Sequence, residues 1–114
     1  MGAKKITAVF FAQAGGGEPV REWLWSLSPE ERKKVGDDIR TVEFGWPIGM
    51  PVCRPLGKGL YEVRTSLKNR IARVLFAIEA DDMVLLHAFI KKSQATPAAD
   101  LELARDRLRA YRRS

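Results

Sequence analysis

The stretch that decides the fold is Pro55–Pro97, which reads PLGKGLYEVRTSLKNRIARVLFAIEADDMVLLHAFIKKSQATP. Apolar residues typical of strands alternate here with cations. Six of these cations fall in or near strand positions: Arg64, Lys68, Arg70, Arg73, Lys91 and Lys92. A charge inside a sheet is costly unless it faces water or an anion. The pattern therefore predicts a small antiparallel sheet with a concave surface suited to phosphate.

Three strands are predicted within this stretch. Residues 61–66 alternate apolar and polar side chains, as a half-buried strand does. Lys68-Asn69 marks a turn, and two longer apolar strands follow over 70–78 and 83–90. The polar sequence Ala80-Asp81-Asp82 between those two strands predicts a hairpin.

Two helices are predicted upstream of the sheet. The first starts at Pro19, and its apolar residues follow helical spacing: Val20, Trp23, Leu24 and Leu27. The sequence SPEE over 28–31 is a capping box that starts a second helix, with the apolar stripe Val35, Ile39, Val42 and Trp46. The tight turn between them predicts a helical hairpin.

The remaining segments complete the predicted order β-α-α-β-β-β-α. Residues 5–12 are a short strand candidate, residues 45–59 form a loop rich in proline and glycine, and Thr96-Pro97 opens a C-terminal helix. That helix has an apolar stripe: Leu101, Ala104, Leu108 and Tyr111. The sequence thus predicts an α+β fold, a single small domain over 1–114, with an antiparallel meander sheet and its helices on one face.

Composition and charge narrow the class of protein. The chain has 114 residues, a net charge of +6 and one cysteine, Cys53, so a disulfide framework or a cysteine-based metal site is not expected. No apolar run approaches the ~18 residues of a membrane span, and no signal-peptide core is present, which favours the cytoplasm. Residues 54–114 carry the whole positive excess, as expected for binding of nucleic acid or another polyanion. A basic surface without a partner is the alternative.

Several motifs carry a family resemblance. They are PLGKGLYEVR over 55–64, Arg70 with RVLF over 73–76, LHAFIKKSQ over 86–94 before Thr96-Pro97, and ELAR over 102–105. With these motifs the chain resembles the RelE/HigB-type toxins of bacterial toxin–antitoxin systems, in the HigB-like, phage-derived branch. The resemblance covers nearly the whole chain in element order and about half of it in motif detail.

The resemblance implies a ribosome-dependent endoribonuclease that cuts mRNA, needs no metal or other cofactor, and is silenced by a cognate antitoxin of the helix-turn-helix type. Its expected partners are the ribosome and mRNA in the cytoplasm. Metal-free cleavage uses the 2′-hydroxyl of the RNA as nucleophile, so the protein must align the chain, stabilise phosphorane charge and move two protons. Arginine suits the charge role, and lysine or histidine suits proton transfer.

Five residues are candidates for catalysis: Arg64, Arg73, Lys91, Lys92 and His87. The resemblance places catalytic basic residues at Arg64, at Arg73 and at the end of the last strand. The alternatives are an Arg64–Glu62 surface pair, a buried ion pair for Arg73, and a satisfied core position for His87. Five further residues are candidates for RNA contact, with solvated charge or core packing as the alternative: Arg54, Lys58, Tyr61, Lys68 and Arg70.

The chain also departs from the family pattern. Some members have a catalytic tyrosine shortly after the last strand, whereas no aromatic residue occurs between Phe89 and Tyr111, and Tyr111 is expected to pack. The general base is therefore left to Lys91, Lys92 or His87. Two other functions stay open: a ParE-like toxin that inhibits DNA gyrase, and a non-catalytic nucleic-acid-binding module. Exposed aromatic residues at Trp25 and at Phe10-Phe11 are candidates for the antitoxin interface, with ordinary packing as the alternative.

Overall fold

A mixed five-stranded sheet and three helices form the α+β fold. The computed structural model describes residues 2–91 and 95–114. The elements in chain order are β1 (Thr7–Phe10), α1 (Pro19–Ser26), α2 (Pro29–Gly45), β2 (Cys53–Gly57), β3 (Leu60–Leu67), β4 (Arg70–Glu79), β5 (Asp82–Lys91) and α3 (Ala98–Arg113). Both helices of the predicted hairpin, the C-terminal helix and the three central strands are confirmed.

The sheet is not the antiparallel meander that the sequence predicted. Its strand order is β1-β5-β4-β3-β2; the last four strands are antiparallel neighbours, but β1 runs parallel to β5. A parallel pair needs a long crossover, and the helical hairpin and three strands between β1 and β5 provide it. The Glu43 carboxylate of α2 fixes β1 in place by accepting a hydrogen bond from the Ala8 backbone N–H at 2.7 Å.

Strand β2 was missed because its sequence resembles a loop. It contains Pro55 and Gly57, and the pairing with β3 is irregular between these two residues. Proline has no backbone N–H to donate to a neighbouring strand. It is therefore disfavoured in a central strand but tolerated in an edge strand. Strand β2 is an edge strand of this sheet, which satisfies that condition.

The helices cover both faces of the sheet, which corrects the prediction that they share one face. Helices α1 and α2 pack on a face that includes Val63, Val74 and Phe76. Helix α3 packs on the opposite face, against Leu75 and Ala77 among others. The cause is strand β4, in which every residue from 72 to 77 is buried. A strand that is buried on both sides requires a layer on each face.

A β-bulge at Leu86 redirects the second half of β5. Phe76 is opposite Leu85 and Leu75 is opposite His87, so Leu86 is the extra residue. After the bulge Phe89 packs in the cluster beneath α3. The bulge thus turns His87 towards α3, where its contacts lie.

The described residues contain no helix with the length and apolar character needed to cross a bilayer.

Helix α2 has the N-cap hydrogen bond of the predicted capping box. The Ser28 side chain accepts a hydrogen bond from the Glu31 backbone N–H at 3.2 Å. We expect Ser28→Ala to lower the free energy of unfolding by about 1 kcal/mol, because a helix N–H loses its partner. Urea denaturation measures this. The matched control is Ser114→Ala at the C-terminus, and equal stability of the two variants would contradict the capping role.

Candidate active site

Several of the predicted cations converge on the face of the sheet that α3 covers. Arg64 on β3 and Arg73 on β4 are direct cross-strand partners. Arg54 on β2 is opposite Glu62, which precedes Arg64 by two residues and therefore lies on the same face. Three adjacent strands thus bring three arginines and one glutamate together. We call these residues, Arg54, Glu62, Arg64 and Arg73, the arginine cluster.

The Glu62 carboxylate lies at the centre of the arginine cluster. It is fully buried and forms ion pairs with Arg73 Nη1 at 3.5 Å and with Arg64 Nε at 3.7 Å. Its Oε2 also accepts a hydrogen bond from Thr96 Oγ1 at 2.8 Å. Thr96 directly precedes α3, so this hydrogen bond attaches the start of that helix to the sheet. One carboxylate therefore positions both arginines and the N-terminal end of α3.

Arg73 and Arg64 differ in their access to solvent. The Arg73 side chain is 0% exposed, whereas the Arg64 side chain is 13% exposed. For Arg73 the sequence left open a catalytic role or a buried ion pair, and the structure places it in the ion pair with Glu62. Arg64 likewise pairs with Glu62, but it reaches the surface. Of these two arginines, Arg64 is the one that an RNA phosphate can contact without a rearrangement of the core.

Lys91 extends the cluster along the same face. It ends β5 opposite Ile71, two positions beyond the pair formed by Arg73 and Phe89, and it is exposed. Residues 71 and 73 alternate with the residues of β4 that face α2, so Lys91 and Arg73 share the α3 side. Lys92, the other predicted catalytic lysine, lies outside the described residues.

His87 is held by protein groups on both sides of its ring. Its Nε2 lies 2.6 Å from Asp100 Oδ1, and its Nδ1 lies 3.5 Å from Arg107 Nη1. An arginine is only a donor, so this geometry corresponds to a proton on Nε2 that is donated to Asp100. Arg107 also donates to the Leu86 carbonyl at 2.9 Å, and burial lowers its pKa. In this arrangement His87 fastens β5 to α3 and has no ring nitrogen directed at a substrate.

The two tyrosines lie away from the arginine cluster. Tyr61 is on the α2 face, where its ring stacks on Phe76 at 5.5 Å and meets the edge of Trp46 at 4.9 Å between centroids. Tyr111 packs in the cluster beneath α3, as predicted, and its hydroxyl donates to Asp82 at 3.4 Å. Burial, followed by the Asp82 charge, raises the Tyr111 pKa.

The remaining RNA-contact candidates are dispersed. Lys58 and Lys68 are exposed in the turns at opposite ends of β3. Arg70 pairs with Glu31 at the start of α2. The structure therefore joins Arg54 to the cluster but leaves Lys58, Lys68 and Arg70 at the periphery of the sheet.

The sequence analysis did not identify two residues of the site, Glu62 and Asp100, as functional. Glu62 appeared only as a surface partner of Arg64, although its position two residues earlier on an alternating strand is the signal that places it beside the cations. Asp100 showed no signal, since an acidic residue in the first turn of a helix is common for other reasons. Among the residues that the structure describes, no three His, Cys, Asp or Glu are grouped so as to hold a metal ion.

Cys53 begins β2 in a buried position near the cluster. Desolvation raises the pKa of its thiol to about 11, and the Glu62 charge adds to this rise. A thiol with such a pKa is almost wholly protonated at neutral pH and is a weak nucleophile.

The buried ion pair between Glu62 and Arg73 should contribute to the free energy of unfolding. Arg73→Met should lower the free energy of unfolding by about 3–5 kcal/mol, because it removes a partner from a buried carboxylate. The double variant Glu62→Leu, Arg73→Met should lose less than the sum of the two single variants. Urea denaturation of all four proteins measures the coupling.

The control for that cycle is Arg112→Met, which removes an exposed arginine from its pair with Glu79. It should leave the free energy of unfolding nearly unchanged. Strict additivity of the Glu62 and Arg73 substitutions would contradict a shared buried pair.

The thiol of Cys53 makes a prediction about reactivity. At pH 8 the folded protein should react with iodoacetamide at least about 100-fold more slowly than the urea-unfolded protein, because the folded pKa of about 11 replaces the ordinary value of 9.0. Mass spectrometry follows the modified fraction with time, and Cys53→Ser is the blank. Equal rates in the two states would show that the thiol is accessible and ionised.

One family model matches most of the chain. It is described as Phage derived protein Gp49-like (DUF891) and matches residues 22–109, from within α1 to near the end of α3. This range contains the whole arginine cluster and His87 with its partners. No curated protein gives a match to the chain. The matched family is associated with RelE-like toxins. Because the match covers well over half of the residues, the chain belongs to the phage-derived Gp49-like family.

Proposed function

We propose that this protein is the toxin of a bacterial toxin–antitoxin pair, a RelE/HigB-type endoribonuclease that cuts mRNA on the ribosome in the cytoplasm. The observation that carries the proposal is the convergence of Arg54, Arg64 and Arg73 on one face of the sheet, with Lys91 at its end. Membership of a family associated with RelE-like toxins supports it. The concentration of the +6 charge in residues 54–114 supports a polyanionic substrate.

In the proposed reaction Arg64 contacts the scissile phosphate. Its guanidinium is partly exposed and is oriented by Glu62, so it is held before the substrate arrives. The 2′-hydroxyl of the RNA attacks the adjacent phosphorus, the 5′-oxygen leaves, and a 2′,3′-cyclic phosphate and a 5′-hydroxyl result. Arg64 stabilises the negative charge that accumulates on the phosphorane, which is the role that a fixed planar cation performs well. Arg73 acts through Glu62 by keeping that carboxylate in place.

In this proposal the proton transfers are carried out by lysines at and just after the end of β5. His87 has both nitrogens engaged by Asp100 and Arg107, which argues against it as the general base. Lys91 is exposed on the same face as Arg73, and Lys92 follows it in sequence. Lysine is one of the residue types that positions a proton for transfer in general acid–base catalysis. We therefore assign the proton transfers to Lys91 and Lys92, without a bound metal ion.

The proposed partner is a helix-turn-helix antitoxin. Trp25 of α1 is 64% exposed and Phe10 of the edge strand β1 is 37% exposed, whereas Phe11 is buried. Arg32 lies 4.3 Å from the centre of the Trp25 ring, which holds that ring in position. Trp25 and Phe10 are therefore the aromatic residues that we propose for the antitoxin interface.

A second candidate is a ParE-like toxin that inhibits gyrase by binding alone. The enclosure of Arg73 by its pair with Glu62 supports it, because an arginine without solvent exposure contributes to the structure of the cluster and does not meet a substrate. The two candidates differ in their product. A nuclease releases shortened mRNA, and a gyrase inhibitor leads to DNA breaks.

The test is cleavage in a purified translation system, with primer extension to map the cut sites in mRNA. Arg64→Ala should lower the cleavage rate at least about 100-fold, because a preorganised charge at the phosphorane is lost. Arg113→Ala, an exposed substitution at the end of α3, is the matched control and should cleave normally. Thermal unfolding of both variants checks that they are folded.

Equal cleavage by Arg64→Ala and Arg113→Ala would contradict the assigned role of Arg64. An absence of ribosome-dependent cleavage by the unmodified protein, together with gyrase-dependent DNA breaks, would replace the nuclease with the ParE-like candidate.

A further inference from the structure

A groove at the edge of the sheet, beside the final part of β3, is contiguous with the arginine cluster. It lies between α2, the segment before β2 and the final part of β3, and its volume is ≈ 610 Å³. Its lining includes Asp37 and Asp38 of α2, Met50, and Arg64 and Thr65 of β3. A volume of this size suits a small organic ligand. Because Arg64 lines the groove and belongs to the cluster, the two sites share a residue.

One buried group in the groove lacks a hydrogen-bond partner. Thr65 is 3% exposed, and its hydroxyl makes no hydrogen bond to any part of the chain that the structure describes. A buried hydroxyl is normally satisfied, because leaving it unpaired carries a desolvation penalty. Thr65 is therefore a polar group for which the fold supplies no partner, in a position where a ligand can supply one.

The groove has two cations, Lys34 and Arg64, and two carboxylates, Asp37 and Asp38. Asp38 is half-buried and forms no ion pair within residues 2–91 and 95–114, whereas Asp37 pairs with Lys33 at 2.9 Å. An ionised carboxylate only accepts hydrogen bonds. A ligand in this groove must therefore present donors to Asp38. Met50, which is 60% exposed, and Ile71 add apolar surface on which a flat ring can lie.

We propose that the groove binds a guanine base of the RNA, next to the phosphate that Arg64 contacts. The Watson–Crick edge of guanine has two adjacent donors, N1–H and the N2 amino group, which match the two oxygens of one carboxylate. Adenine and cytosine each present one donor beside an acceptor there, and uracil presents one donor between two carbonyl oxygens. Asp38 accepts the two guanine donors, and the Thr65 hydroxyl bonds a further polar atom of the nucleotide.

This inference rests on the proposed function, since it names a base of the same RNA substrate. It can nevertheless be tested apart from cleavage. Short RNAs with 2′-O-methyl groups lack the nucleophile and cannot be cut, and their binding to the isolated protein requires no ribosome. Failure of the nuclease proposal and failure of the guanine site therefore give different results.

The experiment is an NMR titration of the ¹⁵N-labelled full chain with 2′-O-methyl UGU, UAU and UUU. UGU should bind about tenfold more tightly than UUU, as expected for a two-point base contact. Its amide shifts should centre on Asp38 and Thr65. Asp38→Asn should abolish that preference, and the matched control Asp106→Asn, an exposed substitution on α3, should retain it.

Thr65→Val separates a ligand contact from a structural role. It replaces the hydroxyl with a methyl group of similar size, so the melting temperature should not fall, while the affinity for UGU should decrease. A lower melting temperature with unchanged affinity would overturn the ligand role of Thr65.

The remaining outcomes also decide the proposal. Equal affinity for the three trinucleotides, shifts confined to other surfaces, or no binding at all would overturn the guanine site. A guanine preference that depends on Asp38 in a protein that cuts no mRNA would support the site and defeat only the nuclease proposal. Ribosome-dependent cleavage combined with an unchanged base preference in Asp38→Asn would support the nuclease proposal and overturn the guanine site.

Discussion

The burial of the Glu62 carboxylate is the constraint on which the rest of the site depends. A carboxylate with no solvent exposure is tolerable only when cations and donors surround it, and here Arg64, Arg73 and Thr96 do so. Because the Arg73 side chain is also fully enclosed, its charge requires a neighbouring anion, which is the Glu62 carboxylate. A cation inside a sheet must face water or an anion. For Arg73 the anion is supplied within the protein itself.

The same constraint links the sheet to its second helical layer. Thr96 bonds Glu62 just before α3 begins, and Asp100 in the first turn of that helix contacts His87 on β5. The start of α3 is thus attached to β3 and to β5 by polar contacts, while Ala104 and Leu108 pack on the apolar part of the same face. This arrangement divides the face into a polar end and an apolar end. The cations occupy the polar end.

Periodicity in the sequence predicted the central strands and the helices because their side chains alternate or repeat clearly. It missed β2 because Pro55 and Gly57 are typical of loops, and it could not show that β1 is parallel to β5, since direction depends on the crossover. The bulge at Leu86 likewise arises from packing on two faces. For the site, the sequence predicted that Arg64 and Arg73 belong to one basic surface, but their direct pairing depends on the register of β3 and β4. Periodicity could not find the contact between His87 and Asp100, because that contact depends on how α3 docks.

The edge of β3 connects the two halves of the proposed RNA site. Strand β2 pairs with β3 only as far as Val63, so the backbone beyond Arg64 forms an edge of the sheet, and at this edge Arg64 belongs to both the arginine cluster and the groove. A nucleotide that crosses this edge can place its phosphate at Arg64 and its base near Asp38. The negative carboxylates of the groove then lie on the base side, where they do not oppose the phosphate directly. Lys34 and Arg64 line the groove together with these carboxylates, so cations and anions lie side by side where the nucleotide is proposed to bind.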